Sequence, residues 1–137
     1  MPLSHLLDTS VYCQPLKPKP LHSVEERWQA LGDEALAISV LCEAELLYGL
    51  KLKGSARLDS LYQSLLENRL QVLAVDRQVA RAFSEIKAAC RRKGFSASDF
   101  DFVIAATAKI NGLVVATLNS RHFEGIEGVA VEDWSRG

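Results

Sequence analysis

Apolar residues recur along this chain in two rhythms. Leu3 to Asp8, Ala35 to Ile38, Leu70 to Val75, Leu113 to Thr117 and Val129 to Val131 are short runs with little polar alternation. They predict five strands of a parallel sheet covered on both faces, because an antiparallel sheet with one wet face would alternate. Between them, apolar positions return every three or four residues, which predicts helices. Thr9 to Gln14 makes a single turn, and Ser23 with Glu26 has capping-box spacing for a helix stopped by Gly32. Ser39 caps a helix from Val40 to about Leu52, and Ser55 to Asn68 carries Leu58, Leu61, Tyr62 and Leu65 on one stripe. Asp76 opens a long helix that ends on Arg91-Arg92-Lys93 and Gly94, a basic last turn followed by a glycine. Ser98 opens the last helix, which runs to Asn111-Gly112. Pro15, Pro18 and Pro20, interleaved with Lys17 and Lys19, force an extended loop after the first turn. No internal repeat, low-complexity tract or linker divides the chain, so residues 1–137 are expected to form one α/β domain.

Composition narrows the picture. At 137 residues with 48% apolar and 24% charged content, the chain is long enough to bury roughly two thirds of its unfolded surface. A formal net charge of −1 supplies no overall positive field, so contact with nucleic acid would need a local patch or metal ions. Cys13, Cys42 and Cys90 are an odd number with no C-x-x-C pair, which argues against a disulfide framework or a structural zinc site. No basic segment followed by a long apolar run opens the chain, and no run approaches the roughly 20 residues that span a bilayer. A soluble, cytoplasmic protein without membrane contact is the expectation.

The chemistry lies in scattered acids. Asp8 ends the first strand, where its plainest role is to cap the following turn with help from Thr9 and Ser10. In Leu41-Cys42-Glu43-Ala44-Glu45-Leu46, spacing alone leaves open which glutamate faces inward. Asp101 shares a helical stripe with the apolar Ile104, Ala105 and Ala108, and a carboxylate there is costly to bury alone. Asp99 beside it suits the helix dipole. In a parallel sheet the working site lies beyond the carboxyl ends of the strands, which is where Asp8, Ser39, Thr117, Asn119 and the start of the Asp101 helix meet. Three carboxylates gathered without a lysine or arginine in the same segments are reconciled by a divalent cation with oxygen ligands, Mg2+ or Mn2+. Such an ion activates water and neutralises charge on a phosphoryl oxygen, the chemistry of a metal-dependent nuclease. Read from spacing alone, the same residues serve equally well as three separately satisfied structural acids.

Three segments carry a resemblance: Leu6-Leu7-Asp8-Thr9-Ser10-Val11, Ala44-Glu45-Leu46-Leu47-Tyr48-Gly49, and Asp101-Phe102-Val103-Ile104-Ala105-Ala106-Thr107-Ala108. With the tail Gly112 to Phe123, Gly125 to Val129 and Glu132-Asp133-Trp134, they resemble, in order, the signature segments of PIN-domain ribonucleases, above all the VapC toxins of toxin–antitoxin pairs. The resemblance implies a three-layer α/β/α sandwich, RNA phosphodiester hydrolysis, a homodimer and a VapB-like antitoxin as partner. It assigns Asp8, Glu45 and Asp101 to catalysis and metal binding, with Asp99, Thr117 and Asn119 as auxiliary residues. Asn119 stands where the family often has an aspartate, which leaves one metal or two an open matter.

Thr9, Ser10 and Arg121 are the expected substrate contacts. Arg91-Arg92-Lys93, with Lys51, Lys53 and Arg57, could hold an RNA backbone, although dipole complement and solvated surface explain the triplet more simply. His5, His22 and His122 show no metal-ligand spacing. Tyr48, Leu52, Leu58, Leu61, Tyr62 and Leu65 offer more apolar surface than a small domain obviously needs; core packing is the first reading, and the resemblance implies a second, a groove for dimer formation and for the antitoxin's amphipathic segment. The rival readings are a non-catalytic PIN-like binding module, favoured by Asn119, and a receiver-like signalling domain, which leaves the acid-bearing helices unexplained.

Overall fold

Strands β1 (His5–Leu7), β2 (Leu36–Ser39), β3 (Gln71–Leu73), β4 (Val114–Thr117) and β5 (Val131–Asp133) form one parallel sheet. Their order is β3-β2-β1-β4-β5 in the computed structural model, which describes residues 2–136. Parallel neighbours need crossovers, and six helices supply those as far as β4: α1 (Thr9–Tyr12), α2 (His22–Leu31), α3 (Val40–Lys53), α4 (Ala56–Leu65), α5 (Arg77–Arg92) and α6 (Asp99–Asn111); a loop with a 3-10 turn at Ser120–His122 makes the last one. Right-handed crossovers put α1 to α4 on one face of the sheet and the closely packed pair α5 and α6 on the other, the expected three-layer sandwich. Every residue of β1 and β2 is buried, which is why these strands read as unbroken apolar runs; the edge strands β3 and β5 are partly exposed.

Helix α6 is buried on nearly every side. Ile104, Ala105, Ala106 and Ala108 have no exposed surface, and the alanines let the helix lie close against the sheet. Ser98 Oγ caps it by accepting the Asp101 N–H at 3.1 Å. Gly112, with φ 65°, ends it in the left-handed conformation that costs glycine nothing. Strand order reverses between β1 and β4, so the crevice beyond their carboxyl ends is the switch point of the sheet.

Local expectations needed correction in four places. The fifth strand lies at Val131–Asp133 rather than Val129–Val131, because Gly128 at φ 79° turns the chain just before it. Ser23 does not cap α2: its hydroxyl donates to the Trp134 carbonyl at 2.8 Å, and Leu21 precedes the first turn without a side-chain cap. The proline loop begins as a 3-10 turn at Gln14–Leu16, held by buried Gln14, whose amide donates to the Ser10 carbonyl and accepts the Leu21 N–H. The helix expected to reach Asn68 ends at Leu65, since Leu66 leaves the helical conformation to enter the core.

Candidate active site

Asp8 is placed by two elements. Its N–H donates to the Ala116 carbonyl of the neighbouring strand at 2.9 Å, which fixes its backbone beside β4. Its side chain then caps α1. Oδ1 accepts the Thr9 N–H at 2.9 Å, while Oδ2 accepts the Ser10 hydroxyl at 3.0 Å and the Thr117 hydroxyl at 2.8 Å. Ser10 Oγ also accepts the Leu118 N–H, and Thr117 Oγ1 the Asn119 N–H, so these hydroxyls tie the β1 and β4 loops together. Burial nevertheless holds the Asp8 carboxyl above its ordinary range against all three donors, and the charge of Asp101 pushes it the same way.

Asp101 enters from the first turn of α6, 9% exposed. The His122 imidazole approaches it, its Nδ1 standing 3.4 Å from Oδ2. No lysine or arginine pairs with Asp8 or Asp101 among the described residues. Glu45 is exposed on α3. The Cys13 and Cys42 thiols, raised first by burial and Cys42 to about 12, are both raised further by Asp8 and Glu45. Burial raises the Tyr12 and Tyr62 phenols, and the charge of half-buried Glu43 adds to it.

The other expected residues divide. Thr117 is fully buried and holds Asp8. Thr9 and Ser10 turn their hydroxyls inward: Thr9 Oγ1 is buried without a hydrogen-bond partner, and Ser10 is spent on Asp8 and Leu118. Asp99 lies outside the acid pair, its Oδ1 2.8 Å from Lys87 Nζ. Asn119 and Arg121 line a polar cleft next to the pair. His122 was passed over because its sequence neighbours show no ligand spacing; only the fold carries it to Asp101.

No three carboxylate, imidazole or thiol side chains stand together as a complete ligand set among the described residues. The donor chemistry still suits a hard cation. Two buried carboxylates lie within electrostatic reach of each other, with no lysine or arginine paired to either among the described residues, and magnesium binds through one or two carboxylates with water in its remaining places.

A parallel sheet with strand order 3-2-1-4-5 and buried carboxylates just after β1 and in the first turn of α6, over its switch point, is a PIN-type architecture. The PIN domain family matches residues 5–128, and the chain belongs to that family. It is 36% identical over 132 residues to the tRNA(fMet)-specific endonuclease VapC of Salmonella typhimurium, covering 96% of this chain and 98% of that protein. It is 30% identical to ribonuclease VapC2 of Haemophilus influenzae, covering 96% and 98%. Among solved structures, DNA-bound VapBC from Salmonella typhimurium superposes with a TM-score of 0.82 at 34% identity, covering 96% of this chain and 98% of that one. FitAcB from Neisseria gonorrhoeae gives 0.83 at 30% identity, covering 95% and 97%. No helix among the described residues is long and apolar enough to cross a membrane.

Proposed function

We propose that this protein is an endoribonuclease toxin that hydrolyses RNA phosphodiester bonds with Mg2+ or Mn2+, and that a VapB-like antitoxin holds it in check. One observation carries the reading: Asp8 and Asp101 both lie buried at the switch point, close enough that the charge of Asp101 acts on Asp8, and no lysine or arginine pairs with either among the described residues. Asp8 and Asp101 would hold the ion directly, and Glu45 would reach it through water from the rim. The bound ion supplies an activated water and a positive charge for the phosphoryl oxygens. The chain's own residues fix the geometry. The Thr117 and Ser10 hydroxyls and the Thr9 N–H lock the Asp8 carboxylate in one orientation, which leaves one lone pair, on Oδ1, for the cation. Ser98 fixes the start of α6 and so the direction of Asp101, with His122 against its Oδ2. Asp99 serves at one remove, tying α6 to α5 through Lys87.

The partner reading rests on surface. Leu47, Tyr48 and Leu52 of α3 are 39%, 65% and 70% exposed. Such a surface suits an amphipathic segment laid along the helices, or a second copy of the chain in a homodimer.

The test is RNA cleavage by the purified chain with and without EDTA, alongside Asp8→Asn and Asp101→Asn. Both substitutions should abolish cutting and remove the rise in Tm that manganese gives the wild-type protein. Near wild-type cutting by either variant, in a preparation free of other nucleases, overturns the reading.

A further inference from the structure

A polar cleft of about 490 Å³ lies beyond the carboxyl ends of β4 and β5. His122 forms part of its wall and also stands 3.4 Å from Asp101, so the cleft adjoins the acid pair. Arg121 and Arg136 line it, and neither guanidinium forms an ion pair among the described residues. By contrast, Arg69 is taken up by Asp33 and Lys87 by Asp99. Two unengaged guanidiniums answer a difficulty the acids create, since a polyanion must be drawn past negative charge to reach them.

Asp133 lines the same cleft and does not fit that explanation. It sits in register with Thr117, the residue that holds Asp8, so its place beside the acid pair is set by the sheet itself. Its Oδ1 accepts the Ser135 N–H at 2.9 Å, and Arg136 and Arg27 act on it without forming an ion pair. A carboxylate on the path of a phosphate repels it unless the ligand brings a donor, because an ionised carboxylate can only accept. A ribose 2′-hydroxyl is such a donor, present on every nucleotide of RNA and absent from DNA. Glu124, the other acid of the lining, is solvent-exposed and has no such placement.

We propose that this cleft binds the ribonucleotide beside the bond that is cut, Arg121 and Arg136 on its phosphate and Asp133 accepting from its 2′-hydroxyl. The proposal rests on the RNA-cleavage reading and adds the feature that selects ribose over deoxyribose. The experiment uses the full chain and an RNA oligonucleotide cut at one place, with single 2′-deoxynucleotides walked across the cut. The wild-type protein should lose roughly tenfold or more in kcat/KM at one flanking position, the effect of a hydrogen bond to a charged acceptor. Asp133→Ala should cut that chimera and the all-RNA strand equally well while its manganese-induced rise in Tm is unchanged. Asp133→Asn, which retains an acceptor oxygen, should keep part of the discrimination. Arg121→Ala and Arg136→Ala should raise KM for every chimera alike and leave kcat in place. A wild-type protein indifferent to every single deoxy position, or Asp133→Ala as discriminating as wild type, overturns the proposal. Failure of the cleavage reading would show separately, as no metal-dependent cutting by any form. Fluorescence anisotropy with the same strands then decides for the cleft: tighter binding of all-RNA than of one deoxy chimera upholds it, and equal binding overturns it.

Discussion

Thr117→Val is the substitution whose effect follows most directly from the geometry. Thr117 has no exposed surface; its Oγ1 donates to Asp8 Oδ2 at 2.8 Å and accepts the Asn119 N–H at 2.9 Å. Valine keeps the volume and removes both bonds, leaving Asp8 the Thr9 N–H and the Ser10 hydroxyl. A hydrogen bond to a charged acceptor contributes about 1.5–3 kcal/mol, and the Asn119 N–H, on an exposed residue, can turn to water. The expected loss without metal at neutral pH is about 2 kcal/mol, or roughly 6–10 °C in Tm for a chain of this length.

The pH dependence gives the sharper test. Burial holds the Asp8 carboxyl above its ordinary range, and the Thr117 hydroxyl is the strongest influence opposing it. Removing that hydroxyl raises the folded-state pKa further. A carboxyl whose folded pKa exceeds its unfolded one adds no penalty below the unfolded value and its full penalty above the folded one. The valine loss should therefore shrink as pH falls from neutrality through the pKa of Asp8. Urea unfolding in EDTA across that range measures it. A loss under about 0.5 kcal/mol at neutral pH, within the scatter of neutral surface changes, or one that is the same at every pH, would refute the reasoning.

Three further outcomes follow from other parts of the fold. Arg69 stacks 4.7 Å over the Trp28 ring and donates to both oxygens of Asp33, so Arg69→Ala should cost roughly 1 kcal/mol in urea unfolding. Burial pushes Asp33 up, but Arg69 and the Trp28 N–H more than offset it, so the Arg69→Ala loss should fade as pH falls through the lowered folded pKa. Gly125→Ala would put a Cβ into the Phe95 ring and should lower stability by about 1–3 kcal/mol, read as a fall in Tm. Tyr48→Glu with Leu52→Glu, at sites 65% and 70% exposed, should leave Tm and RNA cutting near wild type and abolish antitoxin co-purification.

The sheet was legible because buried parallel strands read as short apolar runs without alternation, as Leu6-Leu7 and Leu36-Ala37-Ile38 do. Ser39, Ser55, Asp76 and Ser98 cap their helices as their positions predict, since a cap is a bond between near neighbours in sequence. Ser23 failed as a cap because a partner 111 residues away, the Trp134 carbonyl, took its hydroxyl. The site shows the same division. Asp8 and Asp101 stood out as acids at element boundaries, whereas Asp133, Arg136 and the approach of His122 to Asp101 depend on which strand lies beside β4, information no local pattern holds.

The central claim is that Asp8 and Asp101 are brought together to hold a divalent cation. Crystals of the wild-type chain grown with manganese, and data collected for its anomalous signal, test it most directly. A peak between the two side chains, with an oxygen of each at about 2.0–2.2 Å, is the predicted result, and it should vanish in Asp101→Asn. No peak there at a manganese concentration that supports RNA cutting would contradict the account.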